Sequence, residues 1–113
     1  MHEASLAGGV LQLVEATAAR ESFTHLLSLR LEAGQLAGVD VRALRFALES
    51  LAPGTVLDGA VIDIETPPGQ AWCMGCCQTV PIGQRGDACP SCGSYQLQPT
   101  AGLELRVLEM RVE

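Results

Sequence analysis

Two closely spaced cysteine pairs carry the clearest chemistry in this chain. Cys73-Met74-Gly75-Cys76 and Cys89-Pro90-Ser91-Cys92 are C-x2-C pairs separated by twelve residues. Thiolates two residues apart on a tight turn can share one metal ion at about 2.3 Å per Zn–S bond, and two such turns complete a tetrahedron. Gly93 follows the second pair, at a place where glycine best tolerates a left-handed backbone. Cys77 holds the corresponding place after the first pair. That parallel makes Cys76 the expected ligand and Cys77 a spectator thiol. A closed structural zinc site would contribute about 10 kcal/mol or more to folding so small a module.

Other uses of the same thiols must be weighed. Two disulfides would need an oxidising compartment, but no basic segment followed by an apolar one opens the chain, so a cytoplasmic setting is expected. A rubredoxin-like iron site is disfavoured by the short spacing and by the lack of aromatic packing around the pairs. A nucleic-acid-binding zinc ribbon, or a zinc-ribbon adaptor, uses the same four ligands. Between Cys73 and Cys92, however, the one basic residue is Arg85, set against Asp87.

The N-terminus holds a second constellation. An α-amino group, the His2 imidazole and the amide nitrogens between them can close five- and six-membered chelate rings around one ion. Such a nitrogen-rich planar set suits Ni(II) or Cu(II). As a bare motif this is weak, since a histidine at the second position is more often simply exposed. Glu3 is readable as a favourable charge near a helix N-terminus.

Composition narrows the function further. The 113 residues carry 13 acidic and 7 basic side chains, a formal charge of −6, which handicaps binding to phosphate backbones or bare anionic membranes. All seven basic residues are Arg, so a Schiff-base lysine and a Walker A lysine are excluded. No triad, paired acid/base carboxylates or phosphate-cradling loop supports an enzyme. The longest uncharged stretch, residues 66–84, contains three prolines and three glutamines and is no membrane span.

The elements that must position these groups follow from periodicity. Leu6, Val10, Leu13, Val14 and Thr17 form one helical stripe, despite Gly8 and Gly9. Leu27, Leu29 and Leu31 alternate with Ser28, Arg30 and Glu32 as a half-buried strand, and Gly34 and Gly38 bracket a loop. Asp40 precedes the stripe Val41, Leu44, Leu48 and Leu51, a second helix for which Asp40 is a suitable N-cap. Ala60, Ile62 and Ile64 mark a second strand, closed by Pro67-Pro68. In the C-terminal strand, Leu103, Leu105 and Val107 lie on odd positions, but Leu108, Met110 and Val112 lie on even ones. A period-2 strand changes its buried face only through a bulge or a change of sheet, expected near 107–108. The fold class expected is therefore α+β: two helices on a small β-sheet, with an inserted zinc-ribbon-like module of two C-x2-C knuckles. The main domain is expected over 1–68, completed by the strand in 101–113, with the zinc-binding module over 69–100.

The whole pattern resembles the HypA/HybF family of nickel metallochaperones for hydrogenase maturation. The resemblance rests on Met1-His2-Glu3, on Leu29-Arg30-Leu31-Glu32-Ala33-Gly34 leading to Asp40, on Ala71-Trp72-Cys73-x2-Cys76, and on Cys89-Pro90-x-Cys92. It implies a nickel site built from the Met1 amine, His2, the Glu3 backbone and Asp40, beside structural zinc on Cys73, Cys76, Cys89 and Cys92. It also implies transfer of Ni2+ toward a NiFe-hydrogenase large subunit precursor with a HypB-type GTPase partner. The missing Walker lysine agrees, because any nucleotide-driven step must then occur on another chain. No nucleic acid and no membrane insertion are expected, and a homodimer is left open. Cys77 and the Gly8-Gly9 pair depart from the pattern without touching the implied ligands.

Overall fold

The computed structural model describes residues 2–113. Two helices and six strands follow in the order α1 (Glu3–Glu21), β1 (Leu26–Ala33), α2 (Val41–Leu51), β2 (Val61–Glu65), β3 (Gly69–Cys73), β4 (Gln78–Ile82), β5 (Leu97–Ala101) and β6 (Leu105–Val112). The strands form two three-stranded sheets, β2-β1-β6 and β4-β3-β5. The α+β class and the ribbon-like cysteine module are thus both present. No helix among the described residues is long and apolar enough to cross a membrane.

The chain divides into two compact units, each assembled from separate segments. One comprises residues 1–31, 40–64 and 107–113; the other comprises 32–39 and 65–106. This division puts residues 32–39 and 101–106 in the cysteine unit, whereas periodicity alone groups them with the helices and the main strands.

In the first unit α1 packs against α2. The buried face of α1 is Glu3, Ala7, Val10, Val14 and Ala18, rotated from the stripe of large residues expected from sequence; Leu13 is 49% exposed. Ala7 and Ala18 are buried on this face, and size-weighted periodicity overlooks side chains so small. The helix ends at Ser22 in a left-handed conformation (φ 62°), with its N–H bonded to the Ala18 carbonyl. On β1, Leu29, Leu31 and Ala33 are buried as alternation predicts, but Leu26 takes the buried place expected of Leu27. Leu44 and Leu48 fill the core from α2, while Leu51 is 40% exposed in the last turn. Ile62 from β2 is buried, in agreement with its strand alternation.

The second unit is built around β3. It pairs antiparallel with β4 from Gly69 opposite Ile82 to Cys73 opposite Gln78, so Met74–Cys77 form the hairpin loop. On its other side β3 pairs antiparallel with β5, with an irregularity between Gln70 and Ala71. Ala71, Cys73, Val80, Ile82 and Cys89 form the core, and Leu36 completes it from the loop after β1. That loop is held by backbone bonds from Gly34 N–H to the Glu104 carbonyl and from Leu36 N–H to the Gly102 carbonyl. Gly34 is required here, since a Cβ would strike the Gly102 backbone. None of β3, β4 or β5 showed a sequence period, because each is five residues long and the metal-binding turns interrupt them.

In β6 the half-buried positions are Leu105 and Val107, then Met110, with Leu108 and Glu109 both exposed between them. The change of phase therefore falls just beyond the 107–108 step anticipated from sequence. Leu108 and Val112 do not become core residues; they remain 38% and 41% exposed.

Candidate metal centres

The four paired cysteines converge. Their sulfurs all lie within 4.8 Å of one another, with Cys73 Sγ 3.6 Å from Cys92 Sγ and Cys76 Sγ 3.7 Å from Cys89 Sγ. A tetrahedron of sulfurs about 2.3 Å from a central ion has edges of about 3.8 Å, so these two separations are those of a metal-bound set. All five cysteines are free of disulfides. Gly75 leaves space for the set, since a Cβ there would come within 3.3 Å of Cys92 Sγ. Zinc fits this donor set in ligand type, number and span.

The local fold explains the convergence. In the first knuckle Cys76 N–H points at Cys73 Sγ (3.4 Å), and Cys77 N–H closes on the Cys73 carbonyl at 2.8 Å. In the second, Ser91 N–H points at Cys89 Sγ (3.4 Å), and Gly93 N–H closes on the Cys89 carbonyl at 2.8 Å. Cys77 and Gly93 have matching positive φ angles of 56° and 76°. The two turns are the same device, and Cys77 does occupy the glycine position of its knuckle. Its exposed thiol lies 3.7 Å from the Met74 carbonyl and outside the four-sulfur group.

Electrostatics in this set favour a cation. Hydrogen bonding from the Cys92 backbone, followed by that of Ser91, pulls the Cys89 thiol down to about 6. Hydrogen bonding with Cys92 and burial push the Cys76 thiol up to about 12. Four thiolates so close repel one another, and a divalent ion that displaces their protons removes the conflict.

The residues implied at the N-terminus are placed differently. Met1 lies outside the described residues. His2 is the exposed N-cap residue of α1, without a side-chain cap, and its carbonyl accepts the Leu6 N–H at 2.9 Å. Glu3 opens the helix and is buried; its Oε2 accepts the Asp40 N–H at 3.1 Å and lies 3.9 Å from His2 Nε2. Asp40 is the N-cap of α2, with Oδ1 accepting from Arg42 N–H (3.1 Å) and Ala43 N–H (3.2 Å). Glu3 and Asp40 are thus brought together across 37 positions of sequence. Among the described residues, the only group of three or more clustered metal-binding side chains is the cysteine set. The Glu3 carboxylate as a tie to the second helix was missed from sequence. A lone acidic residue at a helix start carries no signal for a partner so far along the chain.

Comparison with known proteins reaches the same place. A family model described as HypA, hydrogenase/urease nickel incorporation, metallochaperone, matches residues 1–112. Hydrogenase maturation factor HypA of Polaromonas naphthalenivorans (strain CJ2) is 67% identical over 112 residues, covering 99% of this chain and 97% of that protein. The protein of the same name from Cupriavidus necator is 62% identical over 113 residues, covering 100% and 95%. The solution structure of the Ni metallochaperone HypA from Helicobacter pylori shares the fold, with a TM-score of 0.69 at 22% identity over 99% of this chain and 97% of that one.

Proposed function

The chain belongs to the HypA family of hydrogenase/urease nickel-incorporation metallochaperones, and from that premise we propose that it takes up Ni(II) at its N-terminus and passes it on for NiFe-hydrogenase maturation. The family is one of metallochaperones, not enzymes. The observation that carries the reading is the meeting of two helix starts. Glu3, in the first turn of α1, bonds the backbone of Asp40, the cap of α2.

The first backbone N–H groups of a helix lie outside its intrahelical ladder. Amide nitrogens at His2 and Glu3 are therefore in a position to be deprotonated and shared with a metal at little cost to α1. With the Met1 amine and the exposed His2 imidazole they make the nitrogen-rich set that suits Ni(II). Asp40 spends Oδ1 on its cap bonds, and a carboxylate has a second oxygen to offer. Nickel is cargo on this reading, and exposed ligands at a chain end can be exchanged one at a time with an acceptor.

Zinc on Cys73, Cys76, Cys89 and Cys92 is the resident ion. It fixes the second unit and takes no part in transfer. Delivery would go to a hydrogenase large subunit precursor in the cytoplasm, with a HypB-type GTPase supplying any nucleotide-driven step.

Nickel titration of untagged protein beside a version extended at the N-terminus tests the site. Extension turns the terminal amine into an amide, so affinity for nickel should fall sharply while zinc content stays constant. Protons compete for the same nitrogens, so affinity in the untagged protein should also weaken as pH falls. Equal nickel affinity in both forms would sink the terminal site.

A further inference from the structure

The ribbon from β3 to β5 is nearly free of charge. Between Glu65 and Glu104 the only ionisable acid and base are Asp87 and Arg85, which cancel, so the net charge of −6 lies elsewhere in the chain. The large apolar side chains exposed on this ribbon are Trp72, Met74 and Tyr95. Trp72 is 42% exposed on the central strand β3. The antiparallel register sets Thr79 of β4 on one side of it and Gln98 of β5 on the other, with Gln70 opposite Pro81 in the next row. Directly opposed residues share a face of a sheet. All five are exposed, and none is charged. Depletion of charge around aromatic side chains is the composition of an interface centre.

We propose that this face docks an uncharged, proline-rich segment of a partner protein in the polyproline II conformation. Such a segment makes no internal hydrogen bonds and presents free backbone carbonyls at every turn. Trp72 offers a flat apolar ring for a proline and an indole N–H for a carbonyl, while Gln70 and Gln98 offer amide N–H donors. One turn of the ligand spans three residues and about 9 Å. The two strand spacings from β4 across β3 to β5 come to about 10 Å, so a single turn covers the width of the face. The ligand backbone is restricted before it binds, so little ordering entropy opposes so small a contact.

Other occupants fit worse. An added β-strand needs an open ladder edge, but proline lacks the N–H for one and stands in both edge strands of this sheet, as Pro81 in β4 and Pro99 in β5. A nucleic acid needs cations, and Arg85, the one base of the ribbon, gives its Nε–H to the Leu36 carbonyl at 3.2 Å. An amphipathic helix needs an apolar trough, whereas the ring of Trp72 stands between the polar Thr79 and Gln98. The reading is independent of nickel at the N-terminus, which belongs to the other unit.

Trp72 is the only tryptophan of the chain, so its fluorescence reads the face directly. Titration of the zinc-loaded protein with end-capped decaproline should shift the emission saturably, with half-saturation below about 1 mM. An end-capped Gly-Ser peptide of equal length and a ten-residue oligothymidylate should leave it unchanged. Thr79→Glu sets a carboxylate beside the ring that docking would bury without a partner, and it should raise the half-saturation point about tenfold. Trp72→Ala, followed by calorimetry, should weaken binding by about tenfold or more. Unchanged emission up to about 1 mM decaproline overturns the proposal. So does a T79E protein, or a folded W72A protein, that binds like wild type. An equal response to the Gly-Ser peptide would remove the preference for polyproline II, and a response to oligothymidylate alone would make the face a nucleic-acid surface; either overturns the proposal. Should W72A fail to fold, the wild-type emission and T79E, altered at an exposed position, still decide.

Discussion

Asp40 stands where two roles can be separated by one pair of substitutions. Its Oδ1 accepts the N–H groups of Arg42 and Ala43 at 3.1 and 3.2 Å, satisfying two of the four donors that α2 leaves open. Asp40→Ala removes both acceptors, and loss of an N-cap costs about 1 kcal/mol, within a range of about 0.5–2. For a unit of this size that is a fall in melting temperature of roughly 5 °C. Asn caps about as well as Asp, so Asp40→Asn should lose only a few tenths of a kcal/mol, chiefly the carboxylate's interaction with the helix dipole. The tie to Glu3 uses the Asp40 backbone N–H and persists in both variants. Thermal unfolding by far-ultraviolet circular dichroism, with nickel titration on the same samples, reads both roles. The expected result is an Asn variant with near-native melting and weakened nickel binding, and an Ala variant impaired in both. An Asn variant as unstable as the Ala variant would refute the capping argument. One that binds nickel like wild type would leave Asp40 a cap alone.

Changing Cys73, Cys76, Cys89 or Cys92 to Ala should abolish stoichiometric zinc, whereas Cys77→Ala should retain one zinc per chain, as measured by metal analysis after gel filtration. Gly34→Ala should destabilise the cysteine unit by about 1–3 kcal/mol, the range for overpacking, because the new methyl meets the Gly102 backbone rather than a side chain able to swing aside. Denaturant titration of the zinc-loaded protein checks this, and an unchanged midpoint would show that the loop does not dock as described.

Much of this molecule could be read before folding because its strongest signals are local. A C-x2-C turn followed by a left-handed position is one compact device, so Cys76 and Cys77 could be told apart by comparison with Cys92 and Gly93. Asp40 was legible as a cap for the same reason. What escaped was decided at long range. The buried face of α1 is set by contact with α2, and small residues such as Ala7 and Ala18 give little weight to a hydrophobic stripe. Leu36 lies between glycines with no period around it, yet it completes the core of the cysteine unit. At the N-terminus the ligands implied by resemblance were visible as residue types. The bond joining Glu3 to Asp40 was not, since nothing in either neighbourhood specifies a partner on another helix.

The interleaving of the two units bears on when this protein can acquire its shape during synthesis. One unit draws on residues 1–31 and also on 107–113; the other needs 32–39 together with 65–106. Neither can close while the ribosome still holds the residues around 106. Leu36 must wait, without its neighbours, until Ala71, Val80 and Ile82 have emerged. The four thiols emerge before β6 is available to pair with β1, so capture of the ion can precede completion of the fold. The cysteine unit is equally impossible to excise by a single cut. A fragment beginning at Glu65 would keep every zinc ligand and lose the leucine that shares a core with Cys73 and Cys89.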